Sequence, residues 1–165
     1  DPVMVAKGGT KLIHDSAIKI LIDSLIKKSL IITPNIPEAE VITKSKIRNL
    51  DDMIKASKTI LKLGAKNVLL KGGHRKSKKV EDVYLGEYGF KVFKNKKFKT
   101  KNTHGTGCSL SSAIALFLSC GKPLKTSCEL GIKYVNQAIR FNLNYGKGHG
   151  PVNHLVSISL NKMFL

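Results

Sequence analysis

Apolar residues recur along the chain in two alternating patterns. Within 16–29, Ile18, Leu21, Ile22, Leu25 and Ile26 fall at i, i+3, i+4, i+7 and i+8, the spacing of one helix face. Asp15 or Ser16 stands where an N-cap belongs. Leu30-Ile31-Ile32-Thr33 follows, short, β-branched and ended by Pro34, which predicts a strand buried on both faces. Pro37 suits the first turn of a helix through Val41 and Ile42. The alternation then repeats. Asp51 and Asp52 predict the cap of a helix over 53–63, closed at Gly64. Asn67-Val68-Leu69-Leu70-Lys71 predicts another buried strand, broken by Gly72-Gly73. Residues 82–85 and 90–93 read as a hairpin around Tyr88-Gly89, with more polar strands. Gly105-Thr106-Gly107 leads into an apolar helix over 108–119, closed by Gly121. A last helix spans 124–144, with Leu130, Val135, Ala138 and Ile139 on a less regular apolar face.

Helices alternating with buried strands predict an α/β layered fold with a mainly parallel sheet. No repeat and no linker interrupts the 165 residues, so one domain over 1–165 is expected. The composition, 42% hydrophobic and 24% charged, is that of a globular chain and excludes low-complexity disorder. No apolar run is long enough for a membrane span, and the first residues lack the basic-then-apolar pattern of a signal peptide. Cys108, Cys120 and Cys128 form an odd set without C-x-x-C spacing. That argues against a disulfide framework and for a reducing, cytoplasmic compartment.

Charge changes the picture more. Lys and Arg total 29 against 11 acids, a net charge of +18. Nucleic-acid binding is one reading. Yet Arg occurs only at positions 48, 75 and 140, Trp is absent and aromatics are 6%, so base-reading and stacking residues are scarce. The lysines are spread along the chain, denser over 75–79 and 91–101, as on a solvated surface. The same positive field favours a nucleotide-phosphate site.

The candidate chemistry lies where strands run into helices, which is where ligands bind in such sheets. Gly105-Thr106-Gly107-Cys108 opens a helix. Its free N–H groups either cradle an anion, with Cys108 as a base, or simply form a Gly-rich helix entry. A P-loop is excluded, and Leu110 occupies the third glycine position of a dinucleotide fingerprint. Asn35 and Glu38 either hold Mg²⁺ through water or cap the helix. Lys71, before Gly72-Gly73-His74, is either a phosphate contact or a surface lysine. His104, Cys108, His149 and His154 match no common zinc spacing. The tail over 160–165 is expected to dock or fray.

These pieces occur together and in order. Asp1-Pro2-Val3-Met4-Val5-Ala6-Lys7, Thr33-Pro34-Asn35-Ile36-Pro37-Glu38, Leu70-Lys71-Gly72-Gly73-His74, Asn102-Thr103-His104-Gly105-Thr106-Gly107-Cys108 and Gly148-His149-Gly150-Pro151-Val152-Asn153-His154 closely resemble the hydroxymethylpyrimidine/phosphomethylpyrimidine kinases of thiamine biosynthesis. These enzymes are ribokinase-like. Cys108 stands where most ribokinase-like sugar kinases carry Asp. The resemblance implies a three-layer α/β/α fold, ATP and Mg²⁺ as cofactors and a small pyrimidine as substrate. It implies Cys108 as catalytic base and the backbone of Gly105, Thr106 and Gly107 as the anion hole. Asp1 and Glu38 would lie near Mg²⁺, with Asp1, Asn35 and Lys71 near ATP, and Val3 would line the pyrimidine pocket. Family members carry further strands and a substrate loop before the Asp-Pro-Val motif. The chain therefore resembles the C-terminal portion of the kinase domain, with N-terminal strands missing. A homodimer, or association with a separate N-terminal segment, is implied as well. Vitamin B6 kinases of the same superfamily give an alternative substrate, pyridoxal or pyridoxine. A truncated, non-catalytic nucleotide-binding remnant is a third reading.

Overall fold

The connections between apolar segments decide how they pair. In a computed structural model, residues 1–4, 12–75, 77–143, 145 and 147–156 are described. Val5, Ala6 and Lys7 of the first motif, Lys76 of the basic stretch, Asn144, Gly146 and the tail from 157 lie outside them. The chain divides into two compact units, Asp1–Lys97 and Phe98–Leu165.

In the first unit the elements are α1 (Asp15–Ile20), continued by a π-helical stretch Leu21–Ile26, then α2 (Ile36–Thr43), α3 (Leu50–Lys62), β1 (Asn67–Leu70), β2 (Lys79–Gly86) and β3 (Gly89–Lys96). The sheet is three-stranded in the order β1-β2-β3, and both pairings are antiparallel. The expectation of a mainly parallel sheet is corrected here. The short connection from β1 to β2 is below the dozen or so residues that a parallel crossover needs. The long path through α2 and α3 does allow one. Ile32 pairs in parallel with Val68, and Asn35 with Lys71, as isolated bridges. The class is α/β, with β1 flanked by a parallel segment and an antiparallel hairpin.

Burial follows these pairings. Val68, Leu69 and Leu70 are fully buried, and Ile32, Ile42, Met53, Ile60 and Val83 join Val68 and Leu70 in one core. The preceding segment is not buried throughout, since Leu30 is 45% exposed. In the first helical stretch Ile18 and Ile26 are buried, but Leu25 is 58% exposed. The wider π turn rotates Leu25 off the face that an α-helical spacing assigns it. Neither Asp15 nor Ser16 caps α1; His14 holds the N-cap position without a side-chain bond. The α3 cap is Asn49, which accepts the Asp52 N–H at 2.8 Å, while Asp52 accepts the Arg48 N–H at 3.0 Å. Asp51 and Asp52 sit in the first turn, where they complement the helix dipole.

Asn67 ties the parallel segment to the hairpin. It is fully buried, donates from Nδ2 to the Leu30 carbonyl at 2.9 Å and accepts from Tyr84 Oη at 2.7 Å. Asn67→Ala removes both bonds and leaves a void. The expected loss is about 3 kcal/mol, against about 1 kcal/mol for Tyr84→Phe, read from urea denaturation.

The second unit holds α4 (Thr106–Ser119) and α5 (Leu124–Arg140). The helix predicted over 124–144 ends earlier, at Arg140, with Asn153 Nδ2 donating to the Phe141 carbonyl at 3.0 Å. Leu124, Cys128, Gly131, Ile132, Val135 and Ala138 are its buried apolar positions. Gly131 permits close packing, because a Cβ there would lie 3.0 Å from Ile114 Cγ1 and 3.2 Å from Leu110 Cδ1. His104 pairs in parallel with Pro151. Asn102, almost fully buried, fixes the returning chain by accepting the Gly150 N–H at 3.1 Å and donating to Asn142 Oδ1 at 2.8 Å. Among the described residues no helix is long and apolar enough to cross a membrane.

Candidate active site

Four of the predicted residues gather in the first unit at the carboxyl ends of its parallel pair. Pro34 ends the strand segment, and its carbonyl accepts the Lys71 N–H at 2.8 Å. That bond sets Asn35 beside Lys71. Asn35 then caps α2 through a complete capping box. Its Oδ1 accepts the Glu38 N–H at 3.0 Å, and its own N–H donates to Glu38 Oε2 at 2.8 Å. Glu38, only 3% exposed, is therefore fixed by the cap. Lys71 Nζ pairs with Asp1 Oδ1 at 2.7 Å, and Thr33 Oγ1 donates to the same oxygen at 3.4 Å. The Asp1 carboxylate and the Lys71 ammonium thus pair at one strand end, and the Glu38 carboxylate is held by the Asn35 N–H that follows the neighbouring segment. Val3, beside Asp1 in sequence, is 42% exposed between buried Pro2 and Met4.

The loop leaving β1 is docked by groups the sequence reading passed over. The buried Asp82 accepts the Gly72 N–H at 2.8 Å. Burial pushes the Asp82 carboxyl up to about 6, while the Gly72 bond and the Lys71 charge pull the other way. Arg75 Nη1 pairs with Glu81 Oε2 at 2.6 Å, and this hydrogen bond holds the Glu81 carboxyl below its ordinary range. Lys97 Nζ donates to the carbonyls of Gly73 at 2.9 Å and Arg75 at 2.7 Å. An acid inside a hairpin strand, in the expected register of an apolar residue, was the one available signal for Asp82.

In the second unit the start of α4 has the form that the glycines predict. Gly105 is the N-cap at φ +85°, a left-handed conformation suited to glycine. Ser109 N–H makes the first intrahelical bond, to the Gly105 carbonyl at 2.9 Å. The N–H groups of Thr106, Gly107 and Cys108 precede it, so the helix itself does not use them. Thr106 Oγ1 donates to the Thr103 carbonyl at 3.2 Å, which fixes the entering turn. Cys108 is exposed in that first turn. Ser109 Oγ donates to the Gly105 carbonyl at 2.7 Å and lies 3.4 Å from His154 Nδ1. His154, prominent in the last motif, thereby stands beside the helix start. Its carbonyl accepts from Tyr134 Oη at 3.3 Å.

Other features carry less chemistry. Among the described residues no group of three or more His, Cys, Asp or Glu side chains is placed to hold a metal. Cys128 is buried, which pushes its thiol up to about 12 and makes it inert. A surface hollow of about 400 Å³, lined by Leu61, Ala65, Lys66, Gly86 and Glu87, lies at the end of β1 away from Lys71. The hairpin sets Lys79 opposite Lys96, and Lys78, Lys79, Lys94 and Lys96 line a smaller hollow.

The sequence profile of the family described as phosphomethylpyrimidine kinase matches residues 1–153. A hydroxymethylpyrimidine/phosphomethylpyrimidine kinase of Bacillus subtilis is 39% identical over 93% of this chain, which covers 57% of that relative. The crystal structure of a phosphomethylpyrimidine kinase from Clostridium difficile matches at TM-score 0.72 and 43% identity, over 84% of this chain and 55% of that one. A Bacillus subtilis pyridoxal kinase, solved as an ADP complex, matches at TM-score 0.88 and 31% identity, over 98% of this chain and 61% of that one. The chain therefore spans less than two thirds of each of these proteins. With the profile match over nearly its full length, and the motif residues at the strand and helix ends just described, the chain belongs to the phosphomethylpyrimidine kinase family.

Proposed function

We propose that the chain supplies the nucleotide-handling part of an ATP-dependent kinase acting on hydroxymethylpyrimidine and its monophosphate in cytoplasmic thiamine biosynthesis. The start of α4 is the observation that carries the reading. A left-handed Gly105 presents the N–H groups of Thr106, Gly107 and Cys108 ahead of the helix, with an exposed thiol among them. Such donors stabilise the charge that builds on a phosphoryl group in flight. As a thiolate, Cys108 takes the proton of the acceptor hydroxyl while its oxygen bonds to the γ-phosphorus; the bond from that phosphorus to the bridging oxygen breaks, ADP leaves with the electron pair, and the Gly105-Thr106-Gly107 backbone takes up the equatorial charge. Lys71 contacts an ATP phosphate, with Asn35 fixing the neighbouring turn and Asp1 holding the ammonium at 2.7 Å.

Asp1 and Glu38 are hard oxygen donors at one strand end, which fits Mg²⁺, an ion usually held by one or two carboxylates plus water and phosphate. When bound, Mg²⁺ neutralises charge on the nucleotide phosphates. The half-exposed Val3 would line the pyrimidine pocket. Pyridoxal-type activity is the second reading, favoured by the TM-score of 0.88 to a pyridoxal kinase. The higher identity, 43%, to a phosphomethylpyrimidine kinase structure favours the pyrimidine.

ADP release from Mg·ATP, measured with hydroxymethylpyrimidine phosphate or pyridoxal as acceptor, tests both. Turnover with the pyrimidine alone supports the first reading; turnover with pyridoxal alone overturns it in favour of the second. Lys71→Ala removes a charge-assisted contact worth about 1.5–3 kcal/mol. The expected fall in kcat/KM for ATP is roughly 10- to 100-fold at unchanged acceptor KM.

A further inference from the structure

We propose that Asp82 is a positioning residue for the nucleotide-phosphate lysine: by holding the Gly72 N–H it fixes the turn that carries Lys71. The inference rests on the nucleotide reading above and adds a residue that touches no substrate. Asp82 lies on β2, opposite Phe93 of β3, and is only 6% exposed. Its Oδ1 accepts the Gly72 N–H at 2.8 Å, one residue beyond Lys71. A buried carboxylate is costly unless something uses it. An apolar residue would suit this interior register position better for stability alone. A second clamp holds the far side of the same turn through Arg75 on Glu81 and Lys97 on the Gly73 and Arg75 carbonyls. The backbone of β2 closes from a third side, since a Cβ on Gly72 would come 2.0 Å from the Glu81 carbonyl oxygen. With the turn fixed on these sides, the Lys71 side chain projects from a rigid base toward Asp1.

The charged groups around Asp82 are few. Lys71, which follows β1, acts on Asp82 by its charge and itself pairs with Asp1. Glu81, Arg75 and Lys94 form a separate ion-pair cluster. From α3 the group near Gly72 is the uncharged Met53. The carboxyl titrates at about 6, so the charged acceptor is present at neutral pH and is lost as pH falls through that value. Lys71 is then held less firmly, and nucleotide affinity falls. Stability runs the opposite way. The folded value lies above the ordinary 3.8, so ionising Asp82 costs more in the folded chain, and stability falls as pH rises from about 4 to about 6.

Fluorescent mant-ADP with Mg²⁺ is titrated against wild type, D82N and D82A from pH 5 to 8, with amide hydrogen exchange followed at Gly72. Asn keeps an acceptor oxygen and lacks the titration. The expected result at pH 8 is affinity within about threefold of wild type for D82N and at least tenfold weaker for D82A, whose Gly72 amide exchanges faster. Wild-type affinity falls below pH 6 more steeply than that of D82N. Every other pH effect, that on the nucleotide included, is common to both, so the difference isolates Asp82. Equal affinity in D82A, an unchanged Gly72 amide, or identical pH profiles for wild type and D82N would each overturn the proposal. If D82A does not fold, the D82N profile decides alone. A wild type that binds no mant-ADP overturns the nucleotide reading instead, on a different observable from the Gly72 amide.

Discussion

Cys108→Ala is expected to lower acceptor-dependent turnover by about 10²- to 10⁴-fold, the usual contribution of a positioned proton acceptor. The fold should survive. Cys108 is exposed in the first turn of α4, so truncation at Cβ empties no core space, and Ala is the best helix former. Nucleotide affinity should survive as well, because the backbone N–H groups of Thr106, Gly107 and Cys108 do not depend on the side chain. Residual turnover should therefore exceed the uncatalysed rate, since charge stabilisation by the helix start persists. Cys120→Ala is the matched control. It is also exposed, but lies beyond the other end of α4, about 18 Å along the axis, and should change nothing. Measuring kcat and both KM values for the two variants separates a catalytic thiol from an oxidation-sensitive one. Undiminished kcat in Cys108→Ala would remove the thiol from the mechanism. A chain whose real partner is nucleic acid would behave differently again. Its binding would weaken steeply with salt and ignore Cys108.

Much of this site was legible because its residues punctuate the chain. Pro34, the Asn35/Glu38 pair, Gly72 and the Gly105–Gly107 pair mark where elements start and stop, and such marks depend on local backbone chemistry. Hence α2, β1, the hairpin and α4 lie close to where the pattern puts them. Register and lateral contact are another matter. That β2 runs antiparallel to β1 follows from a short connection, yet alternating α/β runs suggested a parallel neighbour. Asp82 read as one polar residue in a more polar strand. Its partner, the Gly72 N–H, becomes visible only when Leu70 is paired with Val83. The buried face of α5 runs through Cys128 and Gly131, whose small size hides them from a search for large apolar side chains. The π stretch after α1 shifts the helical spacing by a fraction of a turn, which no propensity announces.

Gly72→Ala is expected to cost about 3 kcal/mol or more, although the added group is a single methyl. The reason is steric and not conformational, since Gly72 is not among the glycines at positive φ. Its Cβ would come 2.0 Å from the Glu81 carbonyl oxygen, 3.0 Å from the carbonyl carbon and 3.2 Å from Met53 Cε. Met53 can move, being a flexible side-chain end. The Glu81 carbonyl cannot move without β2, which is paired on both sides. Any shift of β2 relative to Gly72 also lengthens the 2.8 Å bond to Asp82 and leaves a buried carboxylate less satisfied, a further penalty of roughly 1–3 kcal/mol. Gly73→Ala is the internal contrast. A Cβ there meets nothing within 4 Å, and the residue is exposed, so its cost should stay within about 0.5 kcal/mol. In a chain of this size the first variant should melt roughly 6–12 °C lower, and the second within a degree or two of wild type. Two adjacent glycines with equal melting points would mean that the turn after β1 is not clamped by β2, and would remove the rigid base on which Lys71 depends.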